Sequence, residues 1–212
     1  MNILITGGTG FVGSHMIDYI LNNEADVKIY ATKRWMEDTK NLDHINDERF
    51  EFIDCDLLDG MSVKKAVEIS KPNKVFHFAA QSFPGVSFKI PVITLQTNVI
   101  GTTNLLESIN NSEFNPVVVS ISSSEVYGNP LQDEIPIRET NPIRAANPYS
   151  ISKVGHDLMS QYYHKAYDMK IIILSTLIAA VIFLIIDIIW LSFAVKSFYR
   201  PNIGHLLLDK PV

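Results

Sequence analysis

"TGGTGFVGSH", residues 6–15, decides the fold. It follows the apolar run "NILIT" (2–6) and opens "FVGSHMIDYILNN" (11–23), whose apolar residues at 12, 16, 17, 20 and 21 recur at helical spacing. A short buried strand therefore turns through glycines straight into a helix. Gly7, Gly10 and Gly13 stand three apart. Gly7 permits the tight turn, Gly10 lets the backbone come close to a pyrophosphate, and Gly13 allows close packing of helix on strand. The N-terminus of that helix favours phosphate charge. With Phe11 and Val12 in the helix's first turn, these glycines make the expected phosphate contact of a dinucleotide. Glycines that merely serve a turn explain the stretch less well, because strand and helix flank it on the sides the motif needs.

The same alternation continues. "VKIYA" (27–31), "FEFID" (50–54), "KVFHFAA" (74–80) and "PVVVSIS" (116–122) read as further strands. "SVKKAVEIS" (62–70), "VITLQTNVIGTTNLLESIN" (92–110) and "PYSISKVGHDLMSQYYHKAY" (148–167) read as helices, the last with Pro148 in its first turn. Strands alternating with helices predict an α/β fold, a Rossmann-like doubly wound parallel sheet.

Composition narrows the function. The 212 residues carry a formal net charge of −5 without a Lys/Arg block, so no nucleic-acid partner is expected. Cys55 is the single cysteine, which excludes an internal disulfide and a cysteine-rich zinc site and suits a reducing compartment. The six histidines show no metal-binding spacing, and no metal is expected. Residues 1–168 carry no signal-peptide pattern, so this domain is expected in the cytoplasm.

The end of the second strand selects the cofactor. An acidic residue about 20 residues beyond the glycines would bind the ribose of NAD. "ATKRW" (31–35) instead supplies Thr32, Lys33 and Arg34. Arg34 suits adenine stacking and a 2′-phosphate, so NADP is expected in preference to NAD. "DCDL" (54–57) places Asp56 and Leu57 near the adenine edge, with Asp54 as a carboxylate that merely solvates the loop. Ala79, Ala80 and Gln81 follow the fourth strand and complete the expected cofactor set.

Two stretches carry chemistry. "SSSEVYG" (122–128) follows the fifth strand, and "YSISK" (149–153) opens the next helix. Tyr149 and Lys153 stand at i and i+4 on one helix face. An ammonium beside the phenol would lower its pKa and make it an acid/base near neutral pH. Ser123, at the carboxyl end of the fifth strand, is placed to bond the same substrate oxygen.

These stretches, with "FHFAAQS" (76–82) and "TNVIGTTNLLES" (97–108), resemble the N-terminal half of the extended short-chain dehydrogenase/reductases over residues 1 to about 170. "KRWMEDTKNLDHI" (33–45), "HFAAQSF" (77–83), "SSSEVYG" and "PIRETNPIRAANPYSISK" (136–153) are most similar to the GDP-mannose 4,6-dehydratase family. That resemblance implies NADP and a nucleotide sugar, GDP-mannose, as ligands. It implies that Tyr149, assisted by Lys153, takes the sugar O4 proton, that Ser123 polarises O4, and that Glu125 takes the C5 proton before water leaves C6. The family often has threonine where Ser123 stands. A nucleotide-sugar 4-epimerase is the alternative, and epimerases generally lack the Glu125 equivalent. The resemblance also implies homo-oligomer formation through the helices near 92–110 and 148–167.

The pattern changes near residue 169. "MKIII" (169–173) suits a sixth strand, but the run continues. Ile171 to Val195 gives 25 residues with one charge, Asp187. As a helix it would be roughly 37 Å long, enough to cross a hydrocarbon core of about 30 Å. One transmembrane helix is therefore expected at about 171–195, within a membrane segment 169–212. Lysines and arginines balance on its two sides, so the cytosolic ligands argue for an N-terminus inside. Residues 169–212 resemble the start of a family of uncharacterised multi-helix membrane proteins. The expectation is a dehydratase half without its substrate lobe, joined near "MKII" to a membrane protein and inactive as this chain. Two other readings stand beside it: a membrane-tethered dinucleotide-binding module without catalysis, and a buried segment covering the sheet edge. The last is disfavoured because 25 apolar residues exceed any strand.

Overall fold

The structure, a computed structural model, describes residues 1–174. Among them, six parallel strands form one sheet: β1 (Asn2–Thr6), β2 (Lys28–Lys33), β3 (Phe50–Asp54), β4 (Lys74–His77), β5 (Val117–Ile121) and β6 (Ile171–Leu174). Their order is β3-β2-β1-β4-β5-β6. The chain starts in the middle of the sheet, runs to one edge, and returns to place β4 beside β1. Ligands bind outside the carboxyl ends of the strands at such a reversal.

Both faces of the sheet are covered, which explains why its strands are apolar runs rather than alternating ones. Leu4 faces a core with Val75, Val118, Leu105, Leu106 and Ile109. Its neighbours Ile3 and Ile5 face the opposite core with Ile17, Ile20 and Ile29. The two-residue period of a strand divides them in this way.

Helix α1 (Phe11–Asn23) follows the glycine turn. Helix α2 (Gly60–Ser70) is capped by the Asp59 side chain, which accepts from the Met61 N–H at 3.0 Å. After β4 comes a short helix, α3 (Pro84–Ser87), that periodicity did not indicate. The long helix expected at 92–110 is interrupted. It runs as α4 (Pro91–Leu95), a π turn (Gln96–Ile100) and α5 (Gly101–Asn110). Helix α6 (Pro148–Tyr167) has the expected bounds. Asn147 caps it by accepting from the Ser150 N–H at 2.8 Å, Pro148 opens it, and Asp168 ends it in the left-handed region at φ 54°.

The start of the expected membrane span needs correction. Residues 171–174 are strand β6, paired with β5 in the register Val118–Ile171 to Ile121–Leu174. An apolar run of four residues suits strand and helix equally, and here the neighbouring strand decides. The rest of the expected span, 175–195, and the tail after it lie outside the described residues. Among the described residues no helix is long and apolar enough to cross a membrane.

Candidate active site

The glycine turn is built around close approaches. Gly7 has φ +69°, and a Cβ there would lie 2.7 Å from the Ala79 nitrogen. The loops after β1 and β4 thus touch at the reversal of strand order. A Cβ on Gly13 would lie 2.3 Å from the Gly7 carbonyl oxygen, so the helix packs on the turn itself. The Gly10 N–H donates to the Gly7 carbonyl at 3.1 Å. No side chain caps α1 and no acidic residue stands in its first turn, while Phe11 and Val12 are exposed. A helix start with open N–H donors, no carboxylate and no Cβ above it fits a diphosphate. The second loop is pinned from below. The Ala79 N–H donates to Thr6 Oγ1 at 3.3 Å, and the Gln81 N–H to Asn98 Oδ1 at 2.7 Å. Asn98 Nδ2 donates in turn to the Gln81 carbonyl (3.0 Å) and to Ser152 Oγ (2.8 Å). Ala80 lies partly buried between them, and Gln81 Oε1 is buried without a hydrogen-bond partner among the described residues.

Beyond β2 and β3 a cavity of about 540 Å³ is lined by Arg34, Trp35, Glu37, Asp54, Asp56 and Ser62 among others. Arg34 is exposed and paired: its Nη2 meets Glu37 Oε1 at 3.2 Å, and its N–H donates to Glu37 Oε2 at 2.8 Å. Lys33 turns to Asp54 Oδ1 at 2.5 Å. Asp56 lines the cavity, whereas the Leu57 side chain is buried and packs against Gly101. The Cys55 thiol is pushed up to about 11 by burial, which leaves it unreactive.

The residues expected to carry chemistry converge at the carboxyl end of β5. Ser123 follows the strand, and its hydroxyl acts on the Tyr149 phenol from α6, holding that phenol's pKa down. It also accepts from the Glu125 N–H at 3.2 Å, which begins a 3₁₀ turn over Ser124–Tyr127. Glu125 is exposed, and its Oε2 accepts from Asn147 Nδ2 at 3.0 Å. The residue that caps α6 therefore also holds Glu125 beside the first turn of that helix. The sequence signal for this was the asparagine ahead of "PYSISK".

Lys153 departs from the expectation. Its ammonium does not turn to Tyr149. It donates to the Ile121 carbonyl and to His156 Nδ1, the latter at 2.5 Å. Burial pushes the Tyr149 phenol up, partly offset by the Ser123 hydroxyl. Burial also lowers Lys153 to about 8, against the pull of Asp157. Desolvation disfavours the charged form of both groups, so it drives the two pKa values apart, the phenol upward and the ammonium downward.

Beneath these groups lies a buried polar layer that sequence reasoning missed. Ser122 donates to Asp157 Oδ2, while Asp157 Oδ1 is buried without a hydrogen-bond partner among the described residues. Burial pushes the Asp157 carboxyl up. His77 on β4 meets Thr6 Oγ1 at 2.7 Å and Thr102 Oγ1 at 2.8 Å, and burial holds it down at about 3. Thr102 donates to the Asn98 carbonyl, so His77 Nε2 carries the ring proton and Nδ1 accepts from Thr6.

Comparison with known proteins agrees with this geometry. The family model described as GDP-mannose 4,6 dehydratase matches residues 4–177. The chain belongs to the GDP-mannose 4,6 dehydratase family. Relatives of this nucleotide-sugar dehydratase and epimerase group include a dTDP-glucose 4,6-dehydratase of Haemophilus influenzae, 33% identical over 183 residues. That alignment covers 82% of this chain and 54% of the relative. A putative UDP-glucose 4-epimerase of Methanocaldococcus jannaschii is also 33% identical, over 81% of this chain and 54% of that protein. Among solved structures, a Streptomyces venezuelae dTDP-glucose 4,6-dehydratase with NAD bound superposes with a TM-score of 0.73 at 30% identity. It is covered to 55%, against 82% of this chain. The Thermotoga maritima UDP-glucose 4-epimerase gives 0.74 at 26% identity, with coverage of 82% and 55%. The chain thus spans about half the length of the curated relatives it matches. Residues 172–212 match a second family, described as predicted membrane protein (DUF2177).

Proposed function

We propose that residues 1–174 are the cofactor-binding and acid–base half of a nucleotide-sugar 4,6-dehydratase, with GDP-mannose as its substrate. The observation that carries this reading is Glu125, held by Asn147 next to Ser123 and Tyr149. Loss of water across C5 and C6 of a sugar needs a base for the C5 proton, and inversion at C4 does not.

A nicotinamide dinucleotide held by the glycine turn and by Ala79–Gln81 would take the C4 hydride and return it to C6. The chain's own residues supply the rest. Tyr149 takes the O4 proton, and Ser123 donates to O4 as charge develops. The C4 carbonyl acidifies the C5–H. Glu125 removes that proton, hydroxide leaves C6 and departs with a proton as water, and a proton returns to C5. Lys153 keeps a positive charge near the phenol and favours its deprotonated form.

For the cofactor we propose NADP over NAD. The support is the lack of a carboxylate at Lys33–Arg34 and the arginine at the mouth of the β2–β3 cavity. Glu37 partly compensates that arginine, so the preference should be modest. Solved relatives from Streptomyces venezuelae and Thermus thermophilus carry NAD.

The relatives contain about as much chain again as this one matches. We assign the grip on the nucleotide sugar to that part, and expect the 212-residue chain by itself to bind cofactor weakly and turn over little. The two family matches overlap at residues 172–177, which supports a junction of two genes near "MKII". The membrane reading is restricted to residues after Leu174, with the α/β domain on the cytoplasmic side.

The test joins residues 1–174 to the C-terminal half of a related dehydratase and supplies GDP-mannose with NADP. Loss of one water, read by mass spectrometry and abolished in Glu125→Gln, is the expected result. A C4-inverted product of unchanged mass would select the 4-epimerase reading, which the epimerase relatives favour. Cofactor binding without sugar chemistry would select the tethered binding module. Rapid conversion by the unmodified 212-residue chain would overturn the expectation of inactivity.

A further inference from the structure

Lys153 has three N–H donors and two fixed acceptors. One is the Ile121 carbonyl at the end of β5, and the other is His156 Nδ1. His156 is itself fixed, because its Nε2 meets Ser120 Oγ at 2.5 Å. The ring is buried, at 2% exposure, and packs edge-on against His77 with centroids 5.4 Å apart. An ammonium cannot accept, so His156 Nδ1 must be the acceptor and Nε2 must carry the proton. The imidazole is therefore neutral and presents one lone pair to Lys153.

We propose that His156 is a positioning residue for Lys153: it holds the ammonium against β5 and leaves one N–H free for the cleft. This rests on the assignment of Lys153 to the acid–base site, but its physical content is independent of any turnover. The groups that face Lys153 are His156 and Asp157 on its own helix, Tyr149 one turn earlier, and His77 from β4. Of these Asp157 and Tyr149 carry a negative charge when ionised, and burial disfavours that form of both. Burial opposes the charge on Lys153, so each acceptor that remains matters. Removing one hydrogen bond to a buried ammonium should lower its pKa further.

The test is a pH titration of the full chain by NMR, with lysine labelled at the ε carbon. Asparagine offers its side-chain oxygen near the Nδ1 position, so His156→Asn should keep the Lys153 midpoint close to that of the wild type. His156→Gln can reach Ser120 but leaves Lys153 without its partner, and should lower the midpoint by about one unit. His156→Leu should do the same, and circular dichroism and thermal melting would check that it folds. Should leucine disrupt the core, the asparagine and glutamine pair still decides the matter. Equal midpoints in the asparagine and glutamine variants would overturn the proposal. If the dehydratase reading fails but the titration behaves as expected, the positioning role stands by itself.

Discussion

Replacing Gly7 by alanine tests the contact on which the candidate site is built. Two costs can be read from the structure. The residue sits at φ +69°, where a side chain costs about 1–2 kcal/mol. The new Cβ would also lie 2.7 Å from the Ala79 nitrogen and 2.8 Å from its Cα, both backbone atoms that cannot rotate away. Overpacking of this kind typically costs about 1–3 kcal/mol. Together the loss should be about 2–5 kcal/mol, a large part of a domain's stability. Gly60→Ala is the control. It opens α2 with nothing within 4 Å of the new methyl, and should be neutral or stabilising by up to about 1 kcal/mol. Urea denaturation followed by circular dichroism measures both, and dinucleotide binding should be lost in Gly7→Ala alone. If the two variants unfold at the same urea concentration, the loops after β1 and β4 are not in the contact described.

Four further outcomes follow. Glu125→Gln should lower turnover of the joined enzyme by about a hundredfold or more while leaving dinucleotide binding intact, as fluorescence titration would read. Arg34→Ala should weaken NADP about tenfold with little change for NAD, and Glu37→Gln should shift the ratio the other way by freeing the arginine; isothermal calorimetry checks both. Lys153 has a folded pKa of about 8, below its ordinary 10.5, so between these pH values the unfolded chain binds more protons. Stability should therefore rise with pH across that window by up to about 3 kcal/mol, and the rise should vanish in Lys153→Met, as denaturation at pH 8 and pH 10 would measure. Asn147→Asp should keep the helix cap and the melting temperature, whereas Asn147→Ala should lose about 1 kcal/mol; both should lower turnover, because each removes the donor to Glu125.

The parts of the fold with local causes were legible in the sequence. The turn between β1 and α1 was readable because glycine spacing and apolar period agree there. Helix α6 was readable to the residue because Pro148 marks its start. The π turn was not, since it shifts the apolar stripe over 92–110 by only one residue, which polar positions within the stretch leave unmarked. Strand β4 stops at His77 rather than Ala80 because Asn98 pulls the Gln81 backbone out of the sheet direction, a contact 17 residues distant. The run from Ile171 was ambiguous for a different reason: only its pairing with β5 distinguishes a strand from the start of a helix. Tyr149 and Lys153 were correctly placed on one helix, but the direction of the ammonium was not visible, because it depends on a carbonyl 32 residues earlier and on His156.

The π turn at Gln96–Ile100 amounts to one residue more than a regular helix would need. Each helical residue advances about 100°, so the extra one rotates everything after it by that angle. The two helices it joins thereby serve two sets of neighbours, with α4 against α6 and α5 against both α2 and α6. It also brings Asn98 to the spot where a single amide ties the loop after β4 to Ser152 of α6. Deleting one residue here would yield a straighter helix. It would also turn that amide away from both partners, so the irregularity fixes the spacing between the loop after β4 and helix α6.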